Sequence, residues 1–197
     1  MQDNIILAGV GGQGILSIAA VLAMGALSKD LFVKQSEVHG MSQRGGAVQS
    51  HIRISDKEIQ SVLIPKGHAN AIISVEPMEA LRYVPWLNSD GWLITNIEPY
   101  KIPDYPDITE LKAELEKFPN HIILDAGKLA KKAGNKRAAN MVVLGAAAPF
   151  LALGEEAIME GIKTIFSSKG ERMVDLNMEA FNYGREIAME YGIKPKS

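Results

Sequence analysis

A glycine-rich hexapeptide, Gly9-Val10-Gly11-Gly12-Gln13-Gly14, separates an apolar run at residues 4–8 from an uncharged stretch at 15–27, and this order leaves few folds open. The run reads as a buried strand. The stretch reads as a helix buried on more than one side, because Ile15, Leu16, Ile18, Val21, Leu22 and Leu27 lie nearly all round it. A strand, a G-x-G-x-x-G turn and a helix in sequence belong to α/β sheets, where the turn's amides and the helix N-terminus suit an anionic group. A dinucleotide site also needs an acid about 20 residues on, at the end of the second strand. There the chain reads Val33-Lys34-Gln35-Ser36, with no acid until Glu37. Gly9, Gly11, Gly12, Gln13 and Gly14 are therefore read as fold first and as a candidate anion site second.

The alternation continues along the chain. Strands are expected at 31–38 and 47–54, the latter with Val48, Ile52 and Ile54 alternating against Gln49, His51 and Arg53. Asp56-Lys57 reads as a hairpin turn into a strand at 59–64. Further strands fall at 69–75, 91–96 and 121–125, with a helix at 77–83 and a loop marked by Pro99, Pro103 and Pro106. Asp107 to Glu110 has the spacing of a capping box opening a helix to 118. Helices then follow at 128–132, 140–153, 155–166 and 172–191, with Gly192 as a stop. The expectation is a Rossmann-like three-layer α/β sandwich. It has a mostly parallel sheet, an antiparallel excursion at 47–64 and a helical C-terminal part, with residues 1–197 as one domain.

Charge and cysteine content narrow the function. Twenty-one Lys and Arg against 23 Asp and Glu give a net charge of −2, which excludes a strongly basic nucleic-acid binder. With no cysteine, the chain can hold neither a thiolate zinc site nor an iron–sulfur cluster, and it has no thiol nucleophile. The uncharged stretches 4–28 and 138–154 are interrupted by glycines, Asn140 and Pro149, so both read as core and not as membrane spans. A cytoplasmic protein is expected, and no spacing of His, Asp and Glu points to a metal.

The densest set of functional groups is Glu37-Val38-His39-Gly40-Met41-Ser42-Gln43-Arg44-Gly45-Gly46. An acid, an imidazole, a guanidinium and an amide among three glycines suit a binding loop at a sheet edge. The plainer alternative is a hydrogen-bonded turn with a surface Glu37–Arg44 pair worth little. Glu37, His39 and Arg44 are the candidate catalytic groups.

Taken together, Gly9 to Leu16, Ser36 to Gly46 and Ser50-His51-Ile52-Arg53 resemble the gamma-type subunits of the 2-oxoacid:ferredoxin oxidoreductases, and the His39–Gly46 form is similar to that of the indolepyruvate branch. The likeness continues through Ile64-Pro65 with Gly67, Glu76-Pro77 with Glu79-Ala80, Asn96, Asn140 with Leu144-Gly145, and Asn177 with Ala180-Phe181 and Gly184-Arg185. The resemblance implies one component of a complex that converts a 2-oxoacid, such as an aryl pyruvate, and coenzyme A into acyl-CoA and carbon dioxide, passing two electrons to ferredoxin. It further implies that thiamine diphosphate, Mg²⁺ and iron–sulfur clusters reside on a catalytic alpha-type partner. Gly40, Met41, Ser42, Gln43, Gly45, Gly46 and His51 would then face that partner, and the glycine loop would be a candidate site for a coenzyme A phosphate. A homodimer of the isolated chain stays open.

Other readings are kept beside this one. The chain could be a stand-alone NAD(P)-binding oxidoreductase or a non-enzymatic assembly module. His39 and His51 suit acid–base chemistry or simple hydrogen bonding. Lys128, Lys131, Lys132, Lys136 and Arg137 suit coenzyme A phosphates, an acidic partner or plain solvation. Asp125 is catalytic by location or an N-cap by context. The apolar segment 138–153 exceeds what one sheet face covers, which suggests a subunit contact.

Overall fold

Strand β1 (Gln2–Val10) is apolar on both faces because it is packed on both faces. In the computed structural model, which describes residues 1–40 and 45–191, Ile5 and Leu7 enter one core cluster while Ile6 and Ala8 enter another. Helix α1 (Ile15–Leu27) follows, then β2 (Phe32–His39) and β3 (Ala47–Ser55). Next come β4 (Ala69–Ser74), α2 (Pro77–Arg82), β5 (Leu87–Asn96), α3 (Ile108–Leu115) and β6 (His121–Leu124). The chain closes with α4 (Ala126–Lys132), α5 (Ala139–Ala147), α6 (Glu155–Ser167) and α7 (Glu171–Glu190). The strands form one sheet in the order β2-β3-β1-β4-β5-β6. β1, β4, β5 and β6 are mutually parallel, and β3 runs antiparallel to both of its neighbours. The expected Rossmann-like α/β architecture is thus present, with helices on both faces.

The antiparallel excursion is real, but its partners differ from the expected ones. Residues 59–64 form no strand. β3 already has β2 on one edge and β1 on the other, so no edge remains for a third partner. The segment lies instead across the polar face of β3. Ile59 and Ile64 are buried, the Ile64 amide donates to His51 Nδ1 at 3.0 Å, and Arg53 Nη1 donates to the Ser61 carbonyl at 2.7 Å. His51 is therefore buried within this chain, against Trp86, and is not a surface group.

The segment 138–153 needs no second subunit to cover it. The helix α5 lies between the sheet and α7, and every residue from Asn140 to Ala147 is buried. The two helices touch backbone to backbone. A Cβ on Gly145 would sit 1.9 Å from the Phe181 carbonyl oxygen, and one on Gly184 would sit 1.8 Å from that of Val142. A second pair, Gly25 on α1 and Gly161 on α6, allows the same close approach. Local signals also hold. Asp107 caps α3 through the Thr109 amide, and Asp125 caps α4 through the Lys128 amide at 2.8 Å, its N-cap reading. The stop expected at Gly192 lies outside the described residues.

Two stability tests follow from this packing. Gly184→Ala should destabilise the chain by at least the ~3 kcal/mol upper range of overpacking, read as a lowered thermal midpoint. Burial also holds the His51 imidazole below its ordinary pKa of 6.5. The unfolded chain then takes up a proton that the folded chain refuses, so His51's contribution is full above pH 6.5 and is lost as pH falls below it. Thermal melts from pH 8 to pH 5 should show this slope, and His51→Gln should flatten it.

Candidate functional site

The sheet's strand order reverses between β1 and β4, and in open α/β sheets the crevice at such a point, beyond the carboxyl ends of the strands, is where ligands bind. A cleft of about 1150 Å³ opens there. Gly12, Gln13, Gly14 and Ser17 line it from the glycine loop and α1, Val75 and Asn96 from the ends of β4 and β5, and Asn140 and Asn177 from α5 and α7. Its charged lining is Glu98, Lys136, Arg137, Lys169 and Arg172.

The glycine loop is shaped from within. Gly14 sits at the N-cap of α1 with φ +82°, and a Cβ there would lie 2.5 Å from Asn140 Nδ2, so both conformation and space require glycine. Asn140 Nδ2 donates to the Gly14 carbonyl at 3.0 Å, tying α5 to the start of α1. Several loop amides are already engaged: Val10 N–H donates to Gln13 Oε1, Gln13 N–H to the Val10 carbonyl and Gly11 N–H to the Gly46 carbonyl. Of the five residues singled out in the sequence, Gly12, Gln13 and Gly14 reach the cleft. Gly9 is packed under Val75 and Ile15, and Gly11 serves the contact with Gly46.

That contact joins the two motifs. Gly46 lies over the end of β1, and Gly45 (φ +80°) lies against Tyr100, beyond β5. Met41, Ser42, Gln43 and Arg44 lie outside the described residues. Glu37 and His39 pair with each other on β2, with Glu37 largely covered and His39 exposed, and neither lines the cleft. Because β3 intervenes, Glu37 is two strands from β1, whereas a dinucleotide ribose would require its acid on the strand beside it. The NAD(P) reading loses its geometry there.

Residues from later in the chain complete the site. Asn96 clamps the cleft floor, donating to the Val75 carbonyl and accepting from the Ala126 amide. Lys169 and Arg172 come from the α6–α7 turn, about 160 residues after the glycines, and only folding unites them. Of the basic run, Lys136 and Arg137 line the cleft, while Lys128, Lys131 and Lys136 line an adjoining groove of about 580 Å³. Glu76, 1% exposed, anchors the proline-marked loop beside it. Its carboxylate accepts from the Glu79 amide at 2.8 Å, the Tyr100 amide at 3.3 Å and the Tyr105 hydroxyl. Burial and the Glu76 carboxylate push the Tyr105 hydroxyl's pKa upward, so it stays protonated as a donor. Burial likewise raises the Glu79 carboxyl's pKa, opposed by Arg82, whose Nε donates to both its oxygens.

A mixed sheet with a glycine turn and a cationic cleft at the reversal of strand order defines a Rossmann-like α/β protein with an anion-attracting crevice. Residues 4–187 match the model of the pyruvate ferredoxin/flavodoxin oxidoreductase family, and the chain belongs to that family. It is 39% identical to the indolepyruvate oxidoreductase subunit IorB of Archaeoglobus fulgidus, over 96% of each chain. It is 30% identical to the 2-oxoglutarate synthase subunit KorC of Methanothermobacter marburgensis, over 96% of this chain and 98% of that one. Among solved structures, the gamma subunit of a keto/oxoacid ferredoxin oxidoreductase from Geobacter sulfurreducens superposes with a TM-score of 0.70 at 25% identity, covering 95% of this chain and 99% of that one. The 2-oxoglutarate:ferredoxin oxidoreductase of Magnetococcus marinus, solved with coenzyme A and succinyl-CoA, shares the fold at TM-score 0.75 and 20% identity. All of this chain superposes on 32% of that one.

Removing the Glu76 side chain should release the loop without dismantling the sheet. Glu76→Ala leaves three donors without their acceptor and should cost about 3 kcal/mol. Hydrogen exchange should accelerate at 97–106 and stay slow in β1 and β4.

Proposed function

We propose that this chain is the gamma-type subunit, acting as a single domain, of a cytoplasmic 2-oxoacid:ferredoxin oxidoreductase whose substrate is indolepyruvate or another aryl pyruvate. The observation that carries the reading is the family match across residues 4–187 in a chain without a cysteine. In the reaction a 2-oxoacid loses carbon dioxide, its acyl group is transferred to coenzyme A, and two electrons pass to ferredoxin. Thiamine diphosphate with Mg²⁺ supplies the decarboxylation chemistry and iron–sulfur clusters carry the electrons. This chain's residues fit neither group. It has no thiolate for a cluster, and among the described residues no three His, Asp or Glu gather as a metal site. Both belong, on this reading, to the catalytic partner subunit.

The chain's own part is recognition. The polar motif from Gly40 to Gly46, of which Gly46 rests on Gly11 and Gly45 on Tyr100, is the surface we assign to the catalytic partner. The cleft is the place we assign to a phosphate of coenzyme A. The N-terminus of α1 and the cations Lys136, Arg137, Lys169 and Arg172 attract an anion from several sides of one cavity. Coenzyme A in the Magnetococcus marinus enzyme supports that choice of ligand.

Two outcomes test the reading on the complex co-purified with its partner. Arg172→Ala should raise the KM for coenzyme A about tenfold and leave the oxoacid KM unchanged, as expected for one charged hydrogen bond. Arg44→Ala should weaken subunit association about thirtyfold, the scale of an interface arginine hot spot. An unchanged coenzyme A KM removes the cleft from the reading, and unchanged association removes the loop.

A further inference from the structure

We propose that Glu98 is a built-in competitor for the anion cleft: it holds Lys136 until a second anionic group of a polyphosphate-type ligand replaces it. The inference rests on the anion reading of the cleft and adds to it a residue that decides which anions bind well.

Four observations converge on Glu98. Its Oε1 accepts from Lys136 Nζ at 3.3 Å. Both residues line the main cleft and also the groove beyond it, so their ion pair is the partition between the two spaces. The carboxylate is seated on bare backbone, since a Cβ on Gly127 would come within 2.2 Å of Glu98 Oε2. Finally, Glu98 is the one acid among the described residues that line the main cleft, against Lys136, Arg137, Lys169 and Arg172. In the groove the other acid, Asp125, is committed to capping the Lys128 amide.

The partners are about half exposed, so their pair contributes little to stability and can exchange with solvent. Its effect is on ligands. An anion at the N-terminus of α1 meets one nearby carboxylate that repels it and one lysine already neutralised. A ligand with a single anionic group leaves the pair intact. One with a further phosphate in reach of Lys136 displaces Glu98 and gains that cation, with Lys128 and Lys131 beyond it. Glu98 thus sets the cost of the second contact: a multiply charged ligand reaches Lys136 only by breaking the pair, whereas a small monoanion leaves it untouched.

The test is calorimetric titration of the full chain with inorganic pyrophosphate and, separately, inorganic phosphate at low ionic strength. Glu98→Gln keeps the shape and removes the charge. It should tighten pyrophosphate binding roughly three- to tenfold, more than it tightens phosphate, and the gain should shrink in 0.5 M salt. In a Lys136→Gln background the extra gain of pyrophosphate over phosphate should vanish, because no cation is left to release, and only the relief of repulsion remains. An extra pyrophosphate gain that persists without Lys136, or no gain at all while Arg172→Ala still weakens binding, overturns the competitor role and leaves the anion cleft standing. Pyrophosphate binding that no cleft substitution alters overturns the cleft reading and this inference together. Circular dichroism of each variant separates these results from misfolding.

Discussion

The antiparallel ladder between β3 and β1, running from Gln2↔Ser55 to Val10↔Ala47, carries Gly46 onto the glycine loop. Its last rung places Gly46 beside Gly11, whose amide donates to the Gly46 carbonyl. The same ladder fills the place beside β1 where a dinucleotide fold would put its ribose-binding strand. One pairing therefore removes the geometry an NAD(P) site would need.

Behind the cleft, rigidity comes from the helical layer. Glycines at 145 and 184 let α5 and α7 meet at their backbones, and Gly25 and Gly161 do the same for α1 and α6. Asn140 projects from this closely packed layer to hold the Gly14 carbonyl, and Asn177 on α7 lines the same cavity. The walls of the cleft are thereby fixed by packing, while its charges sit on flexible lysine and arginine stems. That division suits a site that recognises an anion. Glu76 extends the arrangement outward, because its buried carboxylate holds the loop from which Glu98 faces Lys136 and Tyr100 supports Gly45.

Much of the fold was legible along the chain. The glycine hexapeptide, the two-sided apolar runs and the capping residues Asp107 and Asp125 act through neighbours a few residues away, so α1 begins and ends where its pattern does. Residues 59–64 follow a hairpin-like turn and end in an apolar run, as a strand would, while the availability of an edge is a property of the whole sheet. The segment 138–153 was misread as a subunit contact for a related reason, its cover being a helix 30 residues later. At the site, Gly12, Gln13 and Gly14 announced themselves through spacing, but Glu98, Lys169 and Arg172 look like ordinary surface charges in sequence.

The sequence by itself determined that this chain builds an α/β sheet with a helix N-terminus facing a glycine turn, and that it can ligate no iron–sulfur cluster, because those facts follow from periodicity and from the absence of a residue type. Only the tertiary structure decided which charges share a cavity, which loop rests on the glycines and which face of β3 is covered. Those are contacts between residues up to 160 positions apart, set by strand order and helix stacking, and no local pattern encodes them.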